Sequence, residues 1–230
     1  MSTVPSVSVP REDFSVFPRA VIFDWDNTLI DSWPVLHEAL NGTLRAFGHA
    51  PWTFGETRRR VARSLRDSFP ELFEARWMEA RDDFYARFQS IHLDRLTPLP
   101  GAENLLNDLR DQGVYLAVVS NKKGPILRRE AAHLGWTDHF AHIVGADDCP
   151  RDKPAPDPVL RALDGVSREE GAIWFVGDSP IDMECAAGSG CVGVLLRPEA
   201  PEPGEFAHSP ALHFGDCRGL GGFVKARAPL

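Results

Sequence analysis

Five short apolar runs constrain the fold of this chain more than any other feature. They are AVIFDW at 20–25, VYLAVVS at 114–120, AHIVGA at 141–146, AIWFVGD at 172–178 and CVGVLL at 191–196. None alternates polar with apolar residues, so each reads as a strand buried on both faces. Helix-like stretches separate the last four, and this β-α-β-α-β-α-β rhythm predicts a parallel sheet with helices on both sides. Pro100-Gly101 opens one such helix, AENLLNDLRDQG, whose apolar spacing stops at Gly113, and PILRREAAHLG stops in the same way at Gly135.

The first strand breaks the rhythm. From Ser32 to Leu99 the chain carries no strand signal and reads as helices: PVLHEALNGTLRAFG, GETRRRVARSLRDSF and ELFEARWMEARDDFYARFQSIHLDRL. A crossover needs far less chain than this, so the stretch is expected to be an inserted helical subdomain. The expected organisation is a flexible N-terminal arm at 1–18, an α/β core formed by 19–31 and 98–230, and a helical cap at 32–97. After Arg197 the chain is rich in Pro, Gly and His and reads as loop with one edge strand near Ala211–Phe214.

Composition removes several classes of function. At 230 residues, with 43% hydrophobic and 25% charged residues, the chain can bury a core without staples. Its net charge of −8 argues against nucleic acid or an anionic membrane as a partner. No run approaches the roughly 18 apolar residues that span a bilayer, and the N-terminus lacks the apolar core of a signal peptide. Cys149, Cys185, Cys191 and Cys217 form no C-x-x-C pair, and they read as reduced structural thiols of a cytoplasmic protein.

Four segments carry chemistry. In VIFDWDNTLID a strand ends in Asp24, and Asp26 lies two residues on, where an extended chain points both side chains the same way. Two carboxylates at the carboxyl edge of an open α/β sheet can divide the work of attack, metal binding and proton transfer. The plainer reading is an Asp/Asn-rich turn. In VGDSPID, Asp178 follows a Gly that permits a tight turn and Asp182 lies four residues further on, an acid set suited to Mg²⁺; Asp178 or Ser179 could equally just cap the next helix. In VVSNKK, Ser120, the following backbone N–H groups and Lys122 could hold a phosphate at a helix N-terminus, although Ser and Asn there are more often caps. In RDKPAPDP, prolines stiffen the turn that presents Lys153; a lone loop lysine is usually solvated.

Each of these segments follows a predicted strand of one sheet, and in that order the chain resembles the phosphatase branch of the haloacid-dehalogenase-like (HAD) superfamily. The resemblance runs over roughly residues 20–197 through DWDNT, the Ser of VVSN, the Lys of DKPAPDP and GDSPID, and LPGAENLLNDLRDQG with KPAPDP looks most like the phosphoglycolate-phosphatase-like subgroup. It implies a doubly wound, Rossmann-like parallel sheet with a helical cap inserted after the first strand, and a Mg²⁺-dependent phosphatase acting on a small-molecule phosphate ester. By the same resemblance Asp24 is the nucleophile that becomes an aspartyl phosphate, and Asp26 is the acid that protonates the leaving oxygen and then activates water. Ser120, Asn121 and Lys153 are phosphate-binding. Asp24, the Asp26 backbone carbonyl and Asp178 hold the metal, with Thr28, Ser179 and Asp182 in support. Two departures from the family pattern are Asn27, where many members have Gly, and the AAGSGC continuation after GDSPID.

The resemblance leaves a phosphomutase acting on a sugar phosphate, or a non-enzymatic binding protein of the same fold, as alternatives. The chain is expected to be a monomer or homodimer with no nucleic-acid or membrane partner. Within the cap, Arg59, Arg63 and Arg66 fall along one helical face. This stripe is either an ordinary solvated one or, through Arg63, a contact for an anionic group on the substrate.

Overall fold

The computed structural model describes residues 17–61, 65–167 and 171–227. Its centre is a six-stranded sheet in the order β3-β2-β1-β4-β5-β6, every pairing parallel. The strands are β1 (Ala20–Phe23), β2 (Tyr115–Lys123), β3 (His142–Ala146), β4 (Ile173–Gly177), β5 (Val192–Leu196) and β6 (Leu212–Phe214). All four residues of β1 and all five of β4 are buried, which explains why these runs show no polar alternation: both faces are covered. The chain winds outward through β2 and β3 on one side of β1, then returns to β4 and winds out through β5 and β6 on the other. The switch in direction falls between β1 and β4, and such a switch opens a crevice beyond the carboxyl ends of the strands.

Contacts divide the molecule into two compact units, residues 31–97 and the remainder. Among the described residues the sheet unit carries the α-helices α5 (Ala102–Asp111), α6 (Gly124–His133), α7 (Asp157–Ala162), α8 (Pro180–Ser189) and α9 (Cys217–Lys225). The expected opening of the helix at Pro100-Gly101 is observed, with Gly101 at φ +89° as the N-cap of α5. One expectation fails. The tail after Arg197 was expected to be loop beyond its edge strand, yet it ends in α9. Three glycines at 219, 221 and 222 weaken the helical signal there. Tertiary contacts override that propensity, since Asp216 caps the helix through Gly219 N–H at 2.8 Å and Cys217, Leu220 and Val224 are buried.

The inserted unit is helical, made of α1 (Trp33–Ala46), α2 (Phe54–Arg60), α3 (Leu65–Phe73) and α4 (Trp77–Ile91), with α1 and α3 packed on α4. A reciprocal Thr53–Glu56 capping box starts α2: Thr53 N–H donates to Glu56 Oε2 at 2.8 Å and Glu56 N–H to Thr53 Oγ1 at 3.2 Å. Leu40, Leu44, Phe69, Phe73, Phe84 and Phe88 are buried. Phe84 meets Phe69 edge-on at 5.7 Å. Among the described residues no helix is long and apolar enough to cross a membrane. Because the unit has its own aromatic core, Phe84→Ala should cost about 3–5 kcal/mol, and the loss should concentrate in residues 31–97. Amide exchange read by mass spectrometry should rise there and stay near parent levels in β1, β2 and β4; uniform acceleration would contradict a separate core.

Candidate active site

The site is built from four strand-end segments. Asp24 follows β1 directly, and its N–H donates to Val176 O at 2.8 Å, so β1 stays paired to β4 up to the point where Asp24 begins. The chain then folds back. Trp25 O accepts from Leu29 N–H at 3.0 Å and Ile30 N–H at 3.1 Å, while Asn27 N–H reaches Ile30 O at 2.6 Å. Asn27 sits at φ +62°, a left-handed conformation that Asn tolerates better than most residues. Asn at this position is therefore accommodated. The same turn buries Thr28 completely, with its hydroxyl lacking a hydrogen-bond partner.

Lys153 lies at the centre. Its ammonium donates to Asp24 Oδ1 at 2.6 Å and Asp182 Oδ1 at 2.7 Å, and its side chain is only 4% exposed. Two features aim it. Asn121, at the end of β2, brackets the Lys153 backbone, donating Nδ2–H to Lys153 O and accepting from Lys153 N–H, both at 3.0 Å. Asp182, on the first turn of α8, is fixed through Oδ2 by Ser179 N–H at 3.1 Å and Ser179 Oγ–H at 2.6 Å. Asn121, expected among the phosphate-binding groups, thus has its side-chain amide engaged in holding Lys153. Ser120 is buried beside it, and its Oγ accepts from Lys122 N–H at 3.2 Å.

Carboxylate oxygens of Asp24, Asp178 and Asp182 lie within 4.8 Å of one another. Burial raises the Asp24 carboxyl from its ordinary value to about 6, against the opposing pull of Lys153. Burial, then the charges of Asp182 and Asp24, push Asp178 well above the usual carboxylate range. Burial disfavours the charge on Lys153, but its two acid partners outweigh that and raise it. Three acids therefore face one ammonium. The donor chemistry fits a hard divalent cation, which takes carboxylate oxygens and offsets their repulsion. Asp24 and Asp178 are the candidate ligands, since Asp182 commits one oxygen to Lys153 and the other to Ser179.

Asp26 points to a second ammonium. Its Oδ1 lies 2.7 Å from Lys122 Nζ, which also donates to the buried Glu130 at 2.6 Å. Lys122, which could hold a phosphate by its place in VVSNKK, is engaged in this pairing. Arg197 was missed altogether by reasoning from sequence. It donates Nη1–H to Asp178 O at 3.3 Å and Nη2–H to Glu205 Oε2 at 2.7 Å, tying the segment after β5 to the end of β4. Arg63 lies outside the described residues.

An acid cluster around a buried lysine, at the switch point of a doubly wound sheet, is suited to holding a cation and an anionic group against it. Residues 21–195 match the sequence profile of the haloacid dehalogenase-like hydrolase family, and the chain belongs to that family. Within it, the relatives make this chain a phosphoric monoester hydrolase of the phosphoglycolate-phosphatase-like kind. It is 32% identical to phosphoglycolate phosphatase of Rhodobacter capsulatus over 90% of this chain and 96% of that one. It is also 32% identical to phosphoglycolate phosphatase of Xylella fastidiosa (strain 9a5c) over 76% of this chain and 79% of that one. A haloacid dehalogenase-like family hydrolase from Streptococcus pneumoniae shares the fold, with a TM-score of 0.78 and 20% identity over 90% of this chain and 98% of that one.

Gly177 shows how little room the site leaves. A Cβ there would lie 2.5 Å from Asp182 Cβ, so Asp182 can reach Lys153 only because β4 ends without a side chain. Gly177→Ala should cost about 1–3 kcal/mol by overpacking, a fall of about 2–4 °C in Tm per kcal/mol. An unchanged Tm in thermal unfolding would contradict this packing.

Proposed function

We propose that the protein is a Mg²⁺-dependent phosphatase in which Asp24 attacks the phosphorus of a small phosphate monoester. The observation that carries this reading is the contact between the Lys153 ammonium and Asp24 Oδ1 at 2.6 Å. A buried carboxylate approaching a phosphate dianion meets strong repulsion, and an adjacent fixed cation lowers it. In the first step an Asp24 oxygen bonds to phosphorus while the bond to the leaving oxygen breaks and Asp26 supplies a proton to that oxygen. In the second, water attacks the aspartyl phosphate, its proton goes to Asp26, and the Asp24–phosphorus bond breaks to release phosphate. Lys153 and Ser120 bind phosphoryl oxygens, Asn121 and Asp182 hold Lys153 in place, and Ser179 orients Asp182. Thr28 supports the turn. Mg²⁺ held by Asp24, Asp178 and the Asp26 carbonyl would supply charge neutralisation for the transferring group.

The names of the relatives make phosphoglycolate the first substrate to try, within a panel of sugar phosphates and nucleoside monophosphates. Arg63 carries over from sequence as the proposed contact for an anionic leaving group. The absence of any disulfide among Cys149, Cys185, Cys191 and Cys217 supports a cytoplasmic setting, and we assign the protein there as a monomer or homodimer.

On the preferred ester, Asp24→Asn should lower turnover on the order of 10³-fold or more with the fold retained by circular dichroism; activity near the parent level would overturn the assignment. Chelation should abolish turnover and Mg²⁺ restore it. Mg²⁺ should also raise Tm, and by more near pH 7.5 than near pH 5. With the Asp24 carboxyl pushed up to about 6, the lower pH fills the site with a proton that the cation must displace. A Mg²⁺ effect on Tm that is equal at both pH values would contradict this.

A further inference from the structure

Lys122, Glu130 and Trp25 form a buried polar group that the chemistry above does not use. Lys122 comes from the end of β2, Glu130 from the middle of α6, and Trp25 from the turn between Asp24 and Asp26. Glu130 is fully buried and the Lys122 side chain is 7% exposed. A single oxygen, Glu130 Oε2, accepts from Lys122 Nζ at 2.6 Å and from Trp25 Nε1–H at 2.7 Å. Lys122 Nζ also lies 2.7 Å from Asp26 Oδ1. The Trp25 ring is locked in turn, edge-on to Trp136 at 5.9 Å and Phe140 at 6.5 Å.

These contacts close a ring. From the Asp26 carboxylate the path runs to Lys122, then Glu130, then the Trp25 indole, and returns through the backbone to Asp26. The ring holds the Asp26 side chain at its carboxylate end and its backbone at the neighbouring residue. Burying a carboxylate and an ammonium is costly, and an apolar pair of similar volume would usually stabilise the fold as well or better. Fold stability alone is thus a weak reason for this arrangement.

We propose that Lys122, Glu130 and Trp25 are positioning residues that hold Asp26 in register with the leaving oxygen of the substrate. The inference rests on Asp26 being the acid of the first step. The proton leaves the Asp26 carboxyl, joins the ester oxygen as its bond to phosphorus breaks, and the neutral alcohol departs. Displacing Asp26 harms only esters whose leaving group needs that proton. A leaving group stable as an anion departs nearly as before.

The test is the dependence of kcat/KM on leaving-group basicity, measured with p-nitrophenyl phosphate and phenyl phosphate in saturating Mg²⁺. The two esters are nearly the same shape, and kcat/KM stops at the attack step, so the later use of Asp26 as base does not enter. Lys122→Met should lower kcat/KM for phenyl phosphate at least about tenfold more than for p-nitrophenyl phosphate, within the roughly 10²–10⁴-fold that general acid catalysis supplies. Because Lys122→Met leaves Glu130 buried without its cation, the double variant Lys122→Met/Glu130→Gln removes both charges and should show the same selective loss. Lys122→Arg should restore part of it. Equal losses on the two esters, or no loss, in the double variant overturn the proposal. Asp26→Asn separates this failure from failure of the underlying reading. If Asp26→Asn also leaves the ratio unchanged, the acid assignment falls and the positioning role falls with it. If Asp26→Asn raises the ratio and the Lys122 variants do not, only the positioning role is lost.

Discussion

The contact on which the site depends is that of one buried ammonium with two buried carboxylates. Lys153 touches Asp24 from the end of β1 and Asp182 from the first turn of α8. Without it, three acids would share a small volume with their mutual repulsion unrelieved, and the strands that lead into Asp24 and Asp178, β1 and β4, are hydrogen-bonded neighbours. Removing one partner from such a cluster is expensive because the remaining charge stays buried. The surrounding structure serves this contact. Asn121 clamps the Lys153 backbone from β2, Ser179 pins Asp182, and the bare end of β4 at Gly177 makes room for Asp182.

A parallel sheet suits this construction. Its strands all end on one edge, so segments distant in sequence deliver short side chains to a common volume without long loops. The two ammonium groups divide the work at that edge. Lys153 meets the proposed nucleophile, whereas Lys122 meets the proposed acid and is itself held by Glu130 and Trp25. Asp24 and Asp26 are two residues apart yet have different partners.

Much of this was legible in the sequence, and the reasons are specific. The β1 and β4 runs could be read because strands buried on both faces leave uninterrupted apolar stretches. The inserted helices could be read because a strandless stretch from Ser32 to Leu99 is too long for a crossover. Asp24, Asp178 and Lys153 were legible because strand ends and prolines mark where such side chains are presented. The parts missed are those set by pairing across the fold. Glu130 sits in an amphipathic helix where a charged residue reads as solvated, and nothing local reveals that Trp25 and Lys122 meet it. Asn121 looked like a ligand group or a cap because its partner is a backbone 32 residues away. Helix α9 is hidden by its glycines, although Asp216 followed by Cys217, Leu220 and Val224 is a cap with an apolar face.

The claim at the centre of this account is that the carboxylate held by Lys153 accepts the phosphoryl group. Acid quench of the enzyme during turnover of a phosphate-labelled ester, followed by peptide mapping, tests it most directly. The account predicts label on Asp24, and none on Asp26 or Asp178. Label on another residue, or no labelled protein under conditions where hydrolysis of the aspartyl phosphate limits turnover, would contradict it.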